Sequence, residues 1–175
     1  MSNINNIIAG HNRKLLNTNT VTPMDRTCNC RGGISACPVQ GTCLSQSVIY
    51  KAEIIEIDNK TKSKGPPYTY IGLASNSFKE RYSNHIDSFD KKARKDSTAL
   101  SKFVWKTKDR GNDFSIHWQI IKSAPSYHPN IQTCHLCNME KPIILTSTYP
   151  NLLNQRKELL SKCRHRKKHL LENLV

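Results

Sequence analysis

No stretch of this chain approaches the roughly 18 uncharged apolar residues that a membrane-spanning helix requires. The N-terminal run Ile7-Ile8-Ala9-Gly10 is also too short for the apolar centre of a signal peptide. Acidic residues are scarce: 13 Asp and Glu stand against 27 Lys and Arg, a formal charge of +14 over 175 residues. Such an imbalance favours a polyanionic partner, nucleic acid first, over a merely basic and soluble surface. Apolar side chains make up 37% of the chain and aromatic ones 7%, enough for one modest core but not for two comfortable domains. No internal repeat is visible.

Cysteine is present, in a number that argues against a closed disulfide set. There are seven, and a chain expected to sit in a reducing, intracellular compartment uses them better as metal ligands. Cys28, Cys30, Cys37 and Cys43 fall in one short segment, spaced by Arg31-Gly32-Gly33 and by Pro38, and suit a closed four-thiolate zinc site. Cys28 is the least secure of them, since Cys-x-Cys is tighter than the usual Cys-x-x-Cys. A second zinc set combines Cys134, Cys137, Cys163 and His165, with His169, one turn further on, as a substitute. The competing use is as reduced thiols, in the core or exposed.

Periodicity gives the elements. Residues 1–27, rich in Asn and Thr, read as an arm or linker with a short helix around Ile4–Leu16. From Ser47 to Ile57 the pattern is that of a strand, with Val48, Tyr50, Ala52 and Ile54 on one face. Residues 59–67 read as a loop ending in Gly-Pro-Pro, and Tyr68 to Leu73 as the antiparallel return strand. Asn76 or Ser77 caps a helix whose apolar stripe is Phe78, Tyr82, Ile86 and Phe89. Asp96 and Ser97 can cap another, with Leu100, Phe103 and Val104 inward. Phe114, Ile116, Trp118 and Ile120 alternate in a third strand. A helix follows the Cys134–Cys137 pair, and a basic amphipathic helix runs from Leu152 to Leu171. The order β-β-α-α-β-α-α predicts an α+β fold, a small three-stranded antiparallel sheet flanked by helices, with zinc-binding extensions. The divisions are an arm at 1–27, a cysteine-rich segment at 28–46 and a main domain at 47–172.

The chemistry gathers around two tyrosines on adjacent strands, Tyr50 and Tyr70, followed by Gly72 and then by Arg81 and His85 at i and i+4 on a helix. At the rim of the apolar stripe, the Arg81 guanidinium can grip a phosphate bidentately and stabilise the added charge of a phosphoryl transition state. Singly, each residue has a plainer use: strand tyrosines pack, and helix-flank arginines are solvated. The cluster Arg156, Lys162, Arg164, Arg166, Lys167 and Lys168 suits contacts to a nucleic-acid backbone, and equally a nuclear-localisation or RNA-binding segment.

Taken together, Val48-Ile49-Tyr50, Tyr70-Ile71-Gly72, Arg81 and His85 resemble the signature of the GIY-YIG nuclease family, with Val48 in place of the first glycine and a longer loop between the half-motifs. Positions matching the family's metal-ligating glutamate and its late asparagine are Glu140 and Asn154. The Cys-x-Cys entry, the Cys-Pro turn and the ending Ser161-Lys162-Cys163-Arg164-His165-Arg166 look like the nuclease region of Penelope-like retroelements. This resemblance implies a DNA endonuclease dependent on Mg²⁺ (or Mn²⁺), nicking one strand to leave a 3′-hydroxyl in the service of retroelement integration. Glu140 would ligate the metal, and Tyr50 is the first choice of general base, with Tyr70 and His85 as alternatives. DNA would be the partner, RNA or a reverse transcriptase of the same polyprotein further ones, and the nucleus the destination; no membrane is involved. Pro142 is harmless if its helix starts near Met139, whereas an earlier start can displace Glu140 and leave the copy degenerate. The competing reading is a catalytically inactive, zinc-stabilised nucleic-acid-binding module. It accounts for the charge and the cysteines, but not for the order of Tyr50, Tyr70, Arg81, His85, Glu140 and Asn154.

Overall fold

The computed structural model describes residues 2–17, 27–125, 134–154 and 163. Strands β1 (Gln46–Ile57), β2 (Lys64–Ser77) and β3 (Asp113–Ser123) form one antiparallel sheet in the order β2-β1-β3. Helices α1 (Ser2–Asn17), α2 (Phe78–Asp90), α3 (Ala99–Asp109) and α4 (His135–Thr146) accompany it, so the chain is α+β. Among the described residues no helix is long and apolar enough to cross a membrane.

The central strand β1 is covered on both faces, which is why Val48, Ile49 and Tyr50 form a continuous buried run. On one face Val48, Tyr50, Ala52 and Ile54 pack with Phe78 and Phe89 of α2, Leu100 and Val104 of α3, and Trp118 of β3. On the other, Ile49 and Ile71 pack with Leu136 and Ile144 of α4. A register shift between Ile49 and Tyr50, opposite the extra residue Ile121, marks a bulge beside Tyr50.

Several boundaries differ from expectation. The Gly65-Pro66-Pro67 stretch lies within β2, not in a loop; β2 is an edge strand, where proline sacrifices no ladder bond. The turn narrows to Asp58–Ser63, held by the Asp58 carboxylate accepting from the backbone N–H groups of Lys60 and Thr61. Thr98, rather than Asp96 or Ser97, caps α3 by accepting from the Ser101 N–H. The buried stripe of α2 includes His85 and Ser88, whereas Ile86 is 38% exposed. Helix α4 starts at His135, so Pro142 lies well inside it, not in its first turn, and the bond to the Asn138 carbonyl cannot form. The expected helix from Leu152 begins instead as an extended segment: Leu153 N–H donates to the Thr69 carbonyl, and Thr69 N–H to that of Asn151. The rest of that helix lies outside the described residues.

At the hairpin end of the sheet Arg110 grips Glu56 in a bidentate ion pair, Nε to Oε1 at 3.0 Å and Nη2 to Oε2 at 2.6 Å, and Asn112 adds a third bond. This clasp ties the end of α3 to β1 and closes the α2–α3 layer over the sheet.

A candidate arginine–tyrosine site and two cysteine clusters

Helix α2 starts with its free N–H groups unusually well satisfied. Ser77 accepts from the Glu80 N–H at 3.3 Å, while the Phe78 and Lys79 N–H groups donate to the carbonyls of Ser45 and Cys43 at 2.9 and 2.7 Å. This fixes the first turn over the sheet and aims Arg81 and His85 at Tyr50. Arg81 Nε donates to Tyr50 Oη at 3.1 Å, and the same oxygen lies 2.7 Å from His85 Nε2. Tyr70 joins them through a hydrogen bond with the guanidinium, its ring centre 6.4 Å from that of Tyr50 and 5.9 Å from that of His85.

The depth of the site decides its charge states. Tyr50 is fully buried, His85 2% and Tyr70 5% exposed, and only Arg81 is partly open to solvent. Burial, reinforced by the Arg81 charge, pushes the His85 imidazole down to about 3, so the ring is neutral at physiological pH. Burial also works against the Arg81 cation, but attraction to and hydrogen bonding with Tyr50 and Tyr70 prevail and hold it above its usual value. The outcome is one permanent cation resting on two phenols, backed by a neutral imidazole. Trp118 closes the far side, its ring centre 5.4 Å from that of His85 and 5.9 Å from that of Tyr50.

Gly72 makes this packing possible. It pairs with Tyr50 across the strands, and a Cβ there would overlap Tyr50 Oη and stand 2.6 Å from Tyr50 Cζ and 2.9 Å from Tyr70 Cε1. The phenol passes directly over the glycine backbone, a path that any side chain at position 72 would block.

Tyr50, Tyr70, Arg81 and His85 thus meet on one face of the sheet. Glu140 belongs to α4, which packs on the opposite face; it is half-buried on the inward stripe between Leu136 and Ile144. Asn154 sits at the β2 edge, where its Oδ1 accepts from Ile71 N–H and its Nδ2 donates to the Ile71 carbonyl, both at 2.8 Å. It continues the sheet edge with a side chain in place of a strand. Arg156, Lys162, Arg164, His165, Arg166, Lys167 and Lys168 lie outside the described residues.

The thiols of Cys28, Cys30, Cys37 and Cys43 all lie within 4.8 Å of one another. Cys30 and Cys28 stand 3.7 and 3.6 Å from Cys43, against an edge of about 3.8 Å for a tetrahedron with Zn–S bonds of about 2.3 Å. No disulfide forms, and the set can hold zinc with Cys28 as a full member. Burial raises the Cys37 thiol, but the Val39 and Gly41 backbone N–H groups more than offset this and bring it to about 7. For Cys43 burial dominates, and with hydrogen bonds to its fellow thiols pushes it up to about 12. Such donors, wrapped around a thiolate, are what a structural zinc loop supplies. Cys134, Cys137 and Cys163 form a second group, also within 4.8 Å, with Cys137 and Cys163 3.5 Å apart. It can hold zinc as well and would tie the start of α4 to the C-terminal segment; its expected fourth ligand, His165, and the substitute His169 are not among the described residues.

Sequence reasoning passed over two contributors. Trp118 read only as a strand residue, and Lys79 was not singled out, yet Lys79 Nζ donates to Asn29 Oδ1 at 2.6 Å and reaches the Asn29 carbonyl at 3.3 Å. The spacing 78-82-85-89 was the available signal for a buried His85, since it fits a helical stripe as well as 78-82-86-89 does. No protein-family model, curated protein or solved structure matches the chain.

Proposed function

We propose that this chain is a metal-dependent endonuclease of the GIY-YIG type that nicks one strand of DNA and leaves a 3′-hydroxyl, as part of a Penelope-like retroelement. The observation that carries this reading is the partly exposed Arg81 side chain, anchored by Nε on buried Tyr50. The guanidinium fork has five N–H donors, and the two tyrosines take only some of them. The remainder can grip a phosphodiester, and the fixed cation is worth most where the pentacoordinate transition state gains charge.

Depth orders the candidate bases. His85, held near 3, is a poor proton acceptor, and Tyr50 is enclosed on all sides. Tyr70 is the phenol nearest to solvent, so it takes precedence over Tyr50 as the group that deprotonates water, while Tyr50 and His85 orient Arg81. Mg²⁺ or Mn²⁺, when bound, supplies water activation and charge neutralisation, and Glu140 is the ligand this reading assigns to it. That assignment requires the scissile phosphate to sit at the β2 edge, the strand that α2 and α4 both contact from their opposite faces. The two cysteine clusters are structural zinc sites in this reading. The charge of +14 provides the attraction to DNA, with a nuclear location and an RNA or reverse-transcriptase partner following from the retroelement context.

Incubation with supercoiled plasmid, with Mg²⁺ and with EDTA, tests the proposal. Nicking is expected only with the metal, and Arg81→Ala and Glu140→Ala should each lower it by roughly 10²–10³-fold while sparing DNA binding. Unaltered nicking by either variant removes that residue from the site. DNA binding without any nicking by the wild type would establish the inactive binding module instead.

A further inference from the structure

The four-thiolate cluster and Arg81 are joined by a short mechanical path. Between Thr27 and Ser45 the chain has no helix or strand. Its internal backbone hydrogen bonds are local turns, Gly33 to Cys30, Cys37 to Ile34, Gln40 to Cys37, Thr42 to Val39 and Ser45 to Thr42, except for the Leu44 N–H, which donates to the Thr27 carbonyl at 3.0 Å and joins the two ends of the loop. Between those ends the path turns through a positive φ of 50° at Gln40, a conformation that costs a non-glycine residue energy and that bonds between neighbouring turns do little to fix. Four thiols that converge within 4.8 Å of one another can fix it by sharing one cation.

What this loop holds in turn is the first turn of α2. The Cys43 carbonyl, on a cluster residue itself, takes the Lys79 N–H, and the Ser45 carbonyl takes that of Phe78. Asn29, between Cys28 and Cys30, takes the Lys79 ammonium. Arg81 follows two residues later, and its bond to Tyr50 tolerates only tenths of an ångström of drift at 3.1 Å.

We propose that a zinc ion bound by Cys28, Cys30, Cys37 and Cys43 positions Arg81 on Tyr50, through the Cys43 and Ser45 carbonyls and Asn29, so that metal occupancy of the loop sets the geometry of the arginine–tyrosine site. Lys79 and Asn29 are positioning residues in this arrangement. The inference concerns where Arg81 is held and not which reaction it serves, so it stands or falls separately from the nuclease reading.

The test is nuclear magnetic resonance on the full chain, zinc-loaded and after zinc removal by a chelator. The Arg81 Nε–H signal, identified by its loss in Arg81→Lys, reports the bond to Tyr50, and the Phe78 and Lys79 amides report the cap. All three should exchange slowly with zinc and roughly tenfold or more faster without it, while the amides of β1 paired with β2 keep their protection. Unchanged exchange at these three groups after zinc loss overturns the proposal, as does a purified protein that holds no metal yet protects them. Should the sheet unfold on stripping, Asn29→Ala decides, because it keeps all four thiols. With zinc retained by metal analysis, faster exchange at Lys79 and at Arg81 Nε–H supports the path, and wild-type protection refutes it.

Discussion

Replacing Gly72 by alanine adds one methyl group at the point where the site is tightest. That Cβ would stand 2.6 Å from Tyr50 Cζ and 2.9 Å from Tyr70 Cε1, against an optimal carbon–carbon contact of about 3.5 Å. One ring or one strand must therefore shift by roughly 0.6–0.9 Å. Neither ring has room, since Tyr50 is fully buried among Phe78, His85 and Trp118. A shift of that size along the 2.7 Å Tyr50–His85 bond takes it to the limit of a hydrogen bond, about 3.5 Å. Overpacking of this kind costs about 1–3 kcal/mol, and a buried hydroxyl left without its partner about 1–3 more. Against this, alanine gains about 0.4–1 kcal/mol from a less flexible unfolded chain. The expected net loss is about 1–6 kcal/mol, a fall in Tm of about 2–24 °C for a chain of this size. Gly65→Ala is the control in the same strand: its Cβ would meet the Glu56 carbonyl at 3.5 Å, an ordinary contact. Urea unfolding of both variants reads the difference. A Gly72→Ala protein within about 0.5 kcal/mol of wild type, or no less stable than Gly65→Ala, would show that the phenol does not lie over that backbone.

Three other expectations are open to direct measurement. The unfolded chain binds a proton at His85 near 6.5 that the folded chain refuses until about 3, so this residue's contribution falls as pH drops through that window, by up to about 1.4 kcal/mol per unit; urea midpoints at pH 7, 6 and 5 should decline less steeply in His85→Gln, and parallel curves would contradict the buried neutral ring. Metal analysis should return about two zinc ions per chain, falling to about one in Cys43→Ser with the second cluster intact; a full complement in that variant would exclude the first cluster as a site. DNA affinity should fall steeply with salt, and replacing Arg164, Arg166, Lys167 and Lys168 by alanine should flatten the slope by up to about 4 and weaken all sequences alike; an affinity indifferent to ionic strength would remove nucleic-acid phosphates from the account.

The three strands were legible because Val48, Tyr50, Ala52 and Ile54, and later Phe114, Ile116, Trp118 and Ile120, recur at every second position, and the start of α2 because Ser77 supplies an ordinary helix cap. The four-cysteine cluster was legible for a similar reason, four ligands lying close in sequence. Features that depend on packing between elements were not. Helix α4 carries Pro142 in its interior, and no local preference places it there; its apolar residues, buried against Ile49 and Ile71, outweigh the lost bond. The extended path of 151–154 is likewise set by the β2 edge, whose unpaired N–H and C=O groups recruit Asn154 and the Asn151 and Leu153 backbone. His85 falls at the rim when Ile86 is given the stripe position, yet it is His85 that lies in the buried stripe, where the Tyr50 hydroxyl makes burial tolerable.

That last exception also separates function from stability. A core built for stability alone would place apolar side chains at positions 50 and 85, since buried polar groups at best recover what desolvation costs. Here three polar side chains are sunk beside Phe78, Phe89 and Trp118, and each is satisfied chiefly by the others. The glycine at 72 adds a further sacrifice, because a strand interior is a poor place for it unless something must pass close by. Local choices that each weaken the fold, and that converge on one guanidinium partly open to water, are what the proposed phosphate site would ask of this sequence. The cysteine loop fits the same logic: it braces the one helix end from which that guanidinium projects.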